Sequence, residues 1–104
     1  MSKRIHCIEK LGLFQRIEGN IYDSGYWDVS LLRAEALVGG DIYFHKKQKE
    51  PSFFGGKIFG VRVHDKDDEY KGRILFRFEF TRDHRGVMAG DGGWSFAMKV
   101  VLGR

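Results

Sequence analysis

Along the second half of the chain apolar and polar residues alternate with a period of two, the spacing that buries one face of a β-strand. From Arg73 to Arg82, Ile74, Phe76, Phe78 and Phe80 fall on one side, and Arg73, Arg77, Glu79 and Thr81 on the other; Leu75 is the apolar exception. Trp94, Phe96, Met98, Val100 and Leu102 alternate with Ser95, Ala97 and Lys99, which predicts a second strand. Phe59, Val61 and Val63 alternate with Gly60, Arg62 and His64 for a third. Asp41 to His45 makes a fourth, with Ile42 and Phe44 inward and Tyr43 and His45 outward. Asp65 to Gly72 is too hydrophilic to lie inside and reads as a hairpin loop, and Gly86 to Gly93 reads as a glycine-rich one.

In the first half, Arg4 to Glu9 and Leu13 to Glu18 fit strands, with Gly19-Asn20 as a turn before Ile21 and Tyr22. One segment reads as helix: Leu31 to Leu37 is rich in helix formers, Asp28 or Ser30 can cap its start, and Gly39-Gly40 stops it. Many strands and one helix predict an α+β, mostly β fold. The natural solution is a small curled sheet or pseudo-barrel of five or more strands with one short helix. Ile74, Phe76, Phe78, Phe80, Phe96 and Met98 are expected to be buried together.

Composition narrows this picture. With 104 residues, 42% of them hydrophobic and nine of them Phe, the chain is expected to be a single packed domain over 1–104. Its one cysteine, Cys7, rules out an intramolecular disulfide and a Cys-based zinc framework. The segment Met1 to Lys10 carries no apolar signal core, and no run approaches the roughly 18 apolar residues of a membrane span. A cytoplasmic protein without a membrane partner is expected.

Enzyme signatures are weak. Neighbouring strand residues point to opposite faces, so His6 and Cys7 cannot work together as base and nucleophile. Asp67, Asp68, Glu69 and Lys71 faintly suggest a metal-dependent nuclease centre, but they crowd into the hairpin tip. His6, His45, His64 and His84 show no metal-ligand spacing, although Asp83-His84 at a strand end can join a site. No nucleotide-binding glycine loop or nucleophile elbow is present. No catalytic residue, metal or cofactor is assigned.

Charge points elsewhere. Lys and Arg number 18 against 14 Asp and Glu, a net charge of +4, which suits a phosphate-bearing partner only where the cations gather. They gather between Gly39 and Val63, where Lys46, Lys47, Lys49 and Lys57 flank Pro51-Ser52-Phe53-Phe54. Lysines there can hold a phosphate backbone while Phe53 or Phe54 stacks on an unpaired base. The alternative is that a Phe tucks beneath the sheet and the lysines serve solubility.

The same stretch resembles small PUA-like domains, in particular the EVE and YTH branch of that superfamily. The matching pieces are Trp27, the Leu31 to Val38 helix, Gly40-Asp41, Phe44-His45 and the run Gly56-Lys57-Ile58-Phe59-Gly60-Val61-Arg62-Val63. The likeness covers residues 27–63, with Lys46 at the family's serine position and a long basic loop between the strands. It implies a pseudo-barrel that reads nucleic acid, often by enclosing a modified or flipped base in an aromatic-lined pocket. Trp27, Tyr43, His45 and Ser52 are then the pocket candidates, with Trp94 as a further wall or a core anchor. The expected function is a non-catalytic nucleic-acid-binding module. The alternatives are a small-molecule site at the barrel mouth, or a protein-interaction module, such as a homodimer packing through Phe53 and Phe54.

Overall fold

The structure is a computed structural model that describes residues 3–12 and 14–103; Leu13, at the start of an expected strand, lies outside them. In chain order the elements are β1 (Arg4–Ile8), β2 (Phe14–Glu18), β3 (Ile21–Trp27), α1 (Leu31–Ala36), β4 (Asp41–His45), β5 (Phe54–Val63), β6 (Ile74–Phe80), a 3₁₀ turn (Arg82–His84) and β7 (Met98–Val101). The strands form one open sheet in the order β2-β3-β6-β5-β4-β1-β7. Among the described residues only β1 and β4 run parallel. This is the mostly-β fold with one short helix that the alternation predicts. No helix among the described residues is long and apolar enough to cross a membrane.

Local chemistry explains the joints. Gly19 takes φ +49 at the β2–β3 turn, and Arg16 Nε donates to its carbonyl at 2.8 Å. Ser30, not Asp28, caps α1: its hydroxyl accepts from the Arg33 amide at 3.2 Å. Gly39, at φ +90, releases the chain from the helix toward β4.

One face of the sheet curls around the core. Ile5, Cys7, Ile42, Phe44, Ile58, Phe76 and Phe78 are fully buried there, with α1 contributing Ala34 and its cap Leu37. The Phe44 and Phe78 rings lie 5.4 Å apart, and Phe14 meets Phe44 edge-on at 4.7 Å. Each such side chain contributes about 1.5–3 kcal/mol by leaving water.

Two strands depart in part from expectation. In β5 a register shift between Ile58 and Gly60 makes Phe59 an extra residue, so Ile58 enters the core and Phe59 is 49% exposed, whereas Val61 packs against the core as expected and Val63, at the strand end, is exposed. The expected strand from Trp94 to Leu102 begins only at Met98, because Ser95 to Met98 forms a tight turn closed by hydrogen bonds in both directions, 2.7 and 3.0 Å. Phe96, expected in the core, stands at the turn tip and is 96% exposed. Phe80 and Met98 are half-buried at the core margin. Leu75 is buried on the opposite face, where a Cβ on Gly25 would come within 2.9 Å of its Cγ.

Candidate functional site

The outer face of the same sheet carries the polar chemistry. In-register pairing lines up Arg4 of β1, Asp41 of β4, Lys57 of β5 and Glu79 of β6, a row of alternating charge across four strands. The next positions along β1 and β4 are His6, Tyr43 and His45, with Lys99 of β7 beside His6. The segment after β6 folds back over this face: Trp94 lies edge-on to His45 at 6.0 Å, and Lys99 Nζ donates to the Ala89 carbonyl at 2.6 Å. His6 and His45, on the solvent side by alternation, therefore end fully buried.

Burial fixes their protonation. His6 is pushed down to about 3 by burial first, then by repulsion from His45, Arg4 and Lys99. Burial also lowers His45, against the opposing pull of the Glu50 carbonyl. Both rings are thus neutral, each with one N–H. The Glu50 carbonyl, 2.8 Å away, can only accept, so His45 Nδ1 carries the hydrogen and its Nε2 is bare. That Nε2 lies 2.9 Å from His6 Nδ1, which must donate, leaving His6 Nε2 to accept from Arg4 Nε at 3.1 Å. A single directed chain runs from Arg4 through both imidazoles to the carbonyl of the loop after β4.

Beside it, Tyr43 is stacked between His6 at 4.9 Å and His84 at 5.1 Å. His84 Nε2 donates to Asp41 Oδ1 at 2.9 Å, and its Nδ1 lies 2.5 Å from Thr81 Oγ1. Burial alone would raise the Asp41 carboxyl, but the His84 and Lys57 hydrogen bonds outweigh it and hold the group below the usual carboxylate range. Burial, and then Asp41, push the Tyr43 hydroxyl up. Among the described residues no group of three or more His, Cys, Asp or Glu side chains could hold a metal ion.

A groove of about 520 Å³ opens where the loop after β4 meets the Ser95–Met98 turn. Ile8, Lys10, Lys46, Lys47, Gln48, Phe96 and Ala97 line it, and its surface is mainly apolar. Gln48 Nε2 donates to the Phe96 carbonyl at 3.2 Å and ties the two segments together. None of the three lysines makes an ion pair among the described residues. Phe96 adopts φ 54, the left-handed region that a bulky side chain rarely occupies.

The residues singled out from sequence do not converge on one pocket. Trp27 packs in the core, its indole N–H donating to Ser24 Oγ at 3.0 Å. His45 is sealed in the hydrogen-bonded chain, and Tyr43 is wedged half-buried between two imidazoles. Ser52 is buried too, its hydroxyl donating to the His84 carbonyl at 2.6 Å. Phe53 and Phe54 are half-buried against the core, with Lys46 Nζ 5.0 Å above the Phe53 ring. Trp94 covers the histidine pair. Lys57 is engaged by Asp41 at 3.0 Å, and Lys49 is exposed on the loop. Only Lys46 and Lys47 reach the groove. Lys10, Gln48 and Phe96 complete it; the signal for Phe96 is a large aromatic three residues after Gly92-Gly93, where a tight turn competes with a strand. No protein-family model matches the chain, and no curated protein and no solved structure matches it either.

Proposed function

We propose that this protein is a non-catalytic nucleic-acid-binding module that holds phosphates on Lys10, Lys46 and Lys47 and stacks an unpaired base on Phe96. The observation that carries the reading is Phe96 itself. A left-handed backbone costs a bulky residue on the order of 1–3 kcal/mol, and a ring 96% exposed recovers almost nothing by burial. The fold has no use for it. A ring held out on a groove lined by three lysines that make no ion pair among the described residues has the two parts that single-stranded nucleic acid requires, a stacking platform and cations. The likeness of residues 27–63 to PUA-like domains supports the same class of ligand, with Phe96 in the role expected of Tyr43 or Trp27.

Fluorescence anisotropy with a labelled single-stranded oligonucleotide at several salt concentrations tests this. Lys46→Ala with Lys47→Ala should weaken binding and flatten the logarithmic salt slope by about 1.4, near 0.7 for each phosphate that is no longer neutralised. Phe96→Gly should weaken binding by about 1–3 kcal/mol with the slope unchanged, and should leave the fold as stable or more so. Absence of binding even at low salt refutes the proposal, as does unchanged affinity in the Phe96 variant. Full competition by inorganic phosphate alone would favour a small anion instead.

A further inference from the structure

We infer that the groove on the far side of Phe96 is a base-binding subsite, so that the ligand is a single strand crossing the Ser95–Met98 turn and not a duplex. This rests on the nucleic-acid reading above and extends it to a second nucleotide. The far groove measures about 440 Å³ and shares Phe96 and Ala97 with the lysine groove, which makes the turn tip a ridge between two depressions. The two sides differ in charge. The lysine side carries three cations and no acid, whereas the far side is walled by Tyr26, Trp27 and Met98 with one cation, Arg73, and one acid, Asp28. A near-neutral lining with aromatic rings suits a base; a lining with a net positive charge suits phosphates.

The aromatic wall is also built in advance. Tyr26 is stacked on Tyr70 at 4.6 Å with only 8° between the rings, and His64 approaches Tyr26 at 4.5 Å. Tyr26 and Tyr70 are 37% and 38% exposed, so this stack stands at the surface. Arg73 lies over the Tyr70 ring at 5.8 Å and makes no ion pair among the described residues, which leaves its guanidinium free to stack on a base. A paired base within a duplex exposes neither face, so occupancy of this wall selects unpaired strands.

The test compares a labelled single-stranded oligonucleotide, its duplex and an abasic strand of equal length by anisotropy, with wild type, Tyr26→Ala, Arg73→Gln and Phe96→Gly. The expected result is that duplex and abasic strand bind wild type roughly 5- to 150-fold more weakly than the single strand. Tyr26→Ala and Arg73→Gln should each lose affinity for the single strand while losing little for the abasic one. If no oligonucleotide binds at low salt, the nucleic-acid reading falls and this inference with it. If Phe96→Gly weakens binding but folded Tyr26→Ala and Arg73→Gln do not, the subsite alone is refuted; if duplex binds as well as single strand, the unpaired-base reading falls and the subsite with it. Should Tyr26→Ala fail to fold, Arg73→Gln and the duplex comparison decide.

Discussion

Mild acid should destabilise this protein through one buried imidazole, and the size of the effect follows from the environment of His6. Its pKa falls from an ordinary 6.5 to about 3, because burial disfavours the cation and His45, Arg4 and Lys99 add repulsion. Between those values the unfolded chain takes up a proton that the folded chain refuses. The stability is therefore complete above about pH 6.5, lost progressively as pH falls, and gone below about pH 3. At about 1.4 kcal/mol per pH unit, His6 alone removes about 2.5 kcal/mol between about pH 7 and pH 4.5. His45, also lowered by burial, acts in the same direction. Against a total of about 5–15 kcal/mol this is a large fraction. The window stops above the range where the Asp23 and Asp41 carboxylates, both held low by their partners, begin to take up protons. Urea denaturation read by tryptophan fluorescence, with Trp94 beside the pair, measures it. His6→Gln can still accept from Arg4 and donate to His45 but cannot titrate, so its stability should vary less steeply by about 1.4 kcal/mol per pH unit. An equal pH dependence in His6→Gln, or a His6 imidazole that titrates near 6.5 by NMR, would refute the reasoning.

Two further predictions concern the scaffold. Phe78→Ala, at a fully buried ring in contact with Phe44 and Phe54, should cost about 3–5 kcal/mol in denaturant unfolding. Gly56→Ala would drive a Cβ into the Glu79 carbonyl across the β5–β6 ladder, so it should lower stability by at least the upper part of the about 1–3 kcal/mol typical of overpacking; thermal unfolding reads it.

The inner face of the sheet was legible in the sequence because alternation reports directly which side of a strand is apolar. Ile42 and Phe44 in β4, and Ile74, Phe76 and Phe78 in β6, lie where the pattern puts them. Alternation fails where the backbone breaks period. The irregularity at Phe59 turns that ring out of the core, and the turn at Phe96-Ala97 removes the first four residues, Trp94 to Ala97, from the strand expected there. It fails in a second way on the outer face. The positions of Tyr43 and His45 mark a side of the sheet, but nothing in their neighbourhood announces that a segment 40 or more residues later folds over that side. His6 pairs with His45 across 39 positions and Asp41 with His84 across 43, so neither network has a local signature.

Those buried polar networks bear on why the lysine groove has a fixed shape. Loops rich in lysine and without apolar anchors are ordinarily mobile, and ordering one on binding subtracts from affinity. Here the loop after β4 is held at several places, besides the Ser52 hydroxyl on the His84 carbonyl. His45 Nδ1 donates to Glu50, Gln48 donates to Phe96, and the Phe53 amide donates to the Phe44 carbonyl at 2.8 Å. The first tie ends a chain that begins at Arg4, whose strand is paired on both sides, between β4 and the edge strand β7. An apolar pair at positions 6 and 45 would serve burial equally well, yet it would leave the Glu50 carbonyl without its donor and the loop without that anchor. The histidine chain therefore acts as a positioning device for the groove: a costly, fully satisfied polar core whose return is the placement of the loop that carries Lys46 and Lys47 beside the Ser95–Met98 turn.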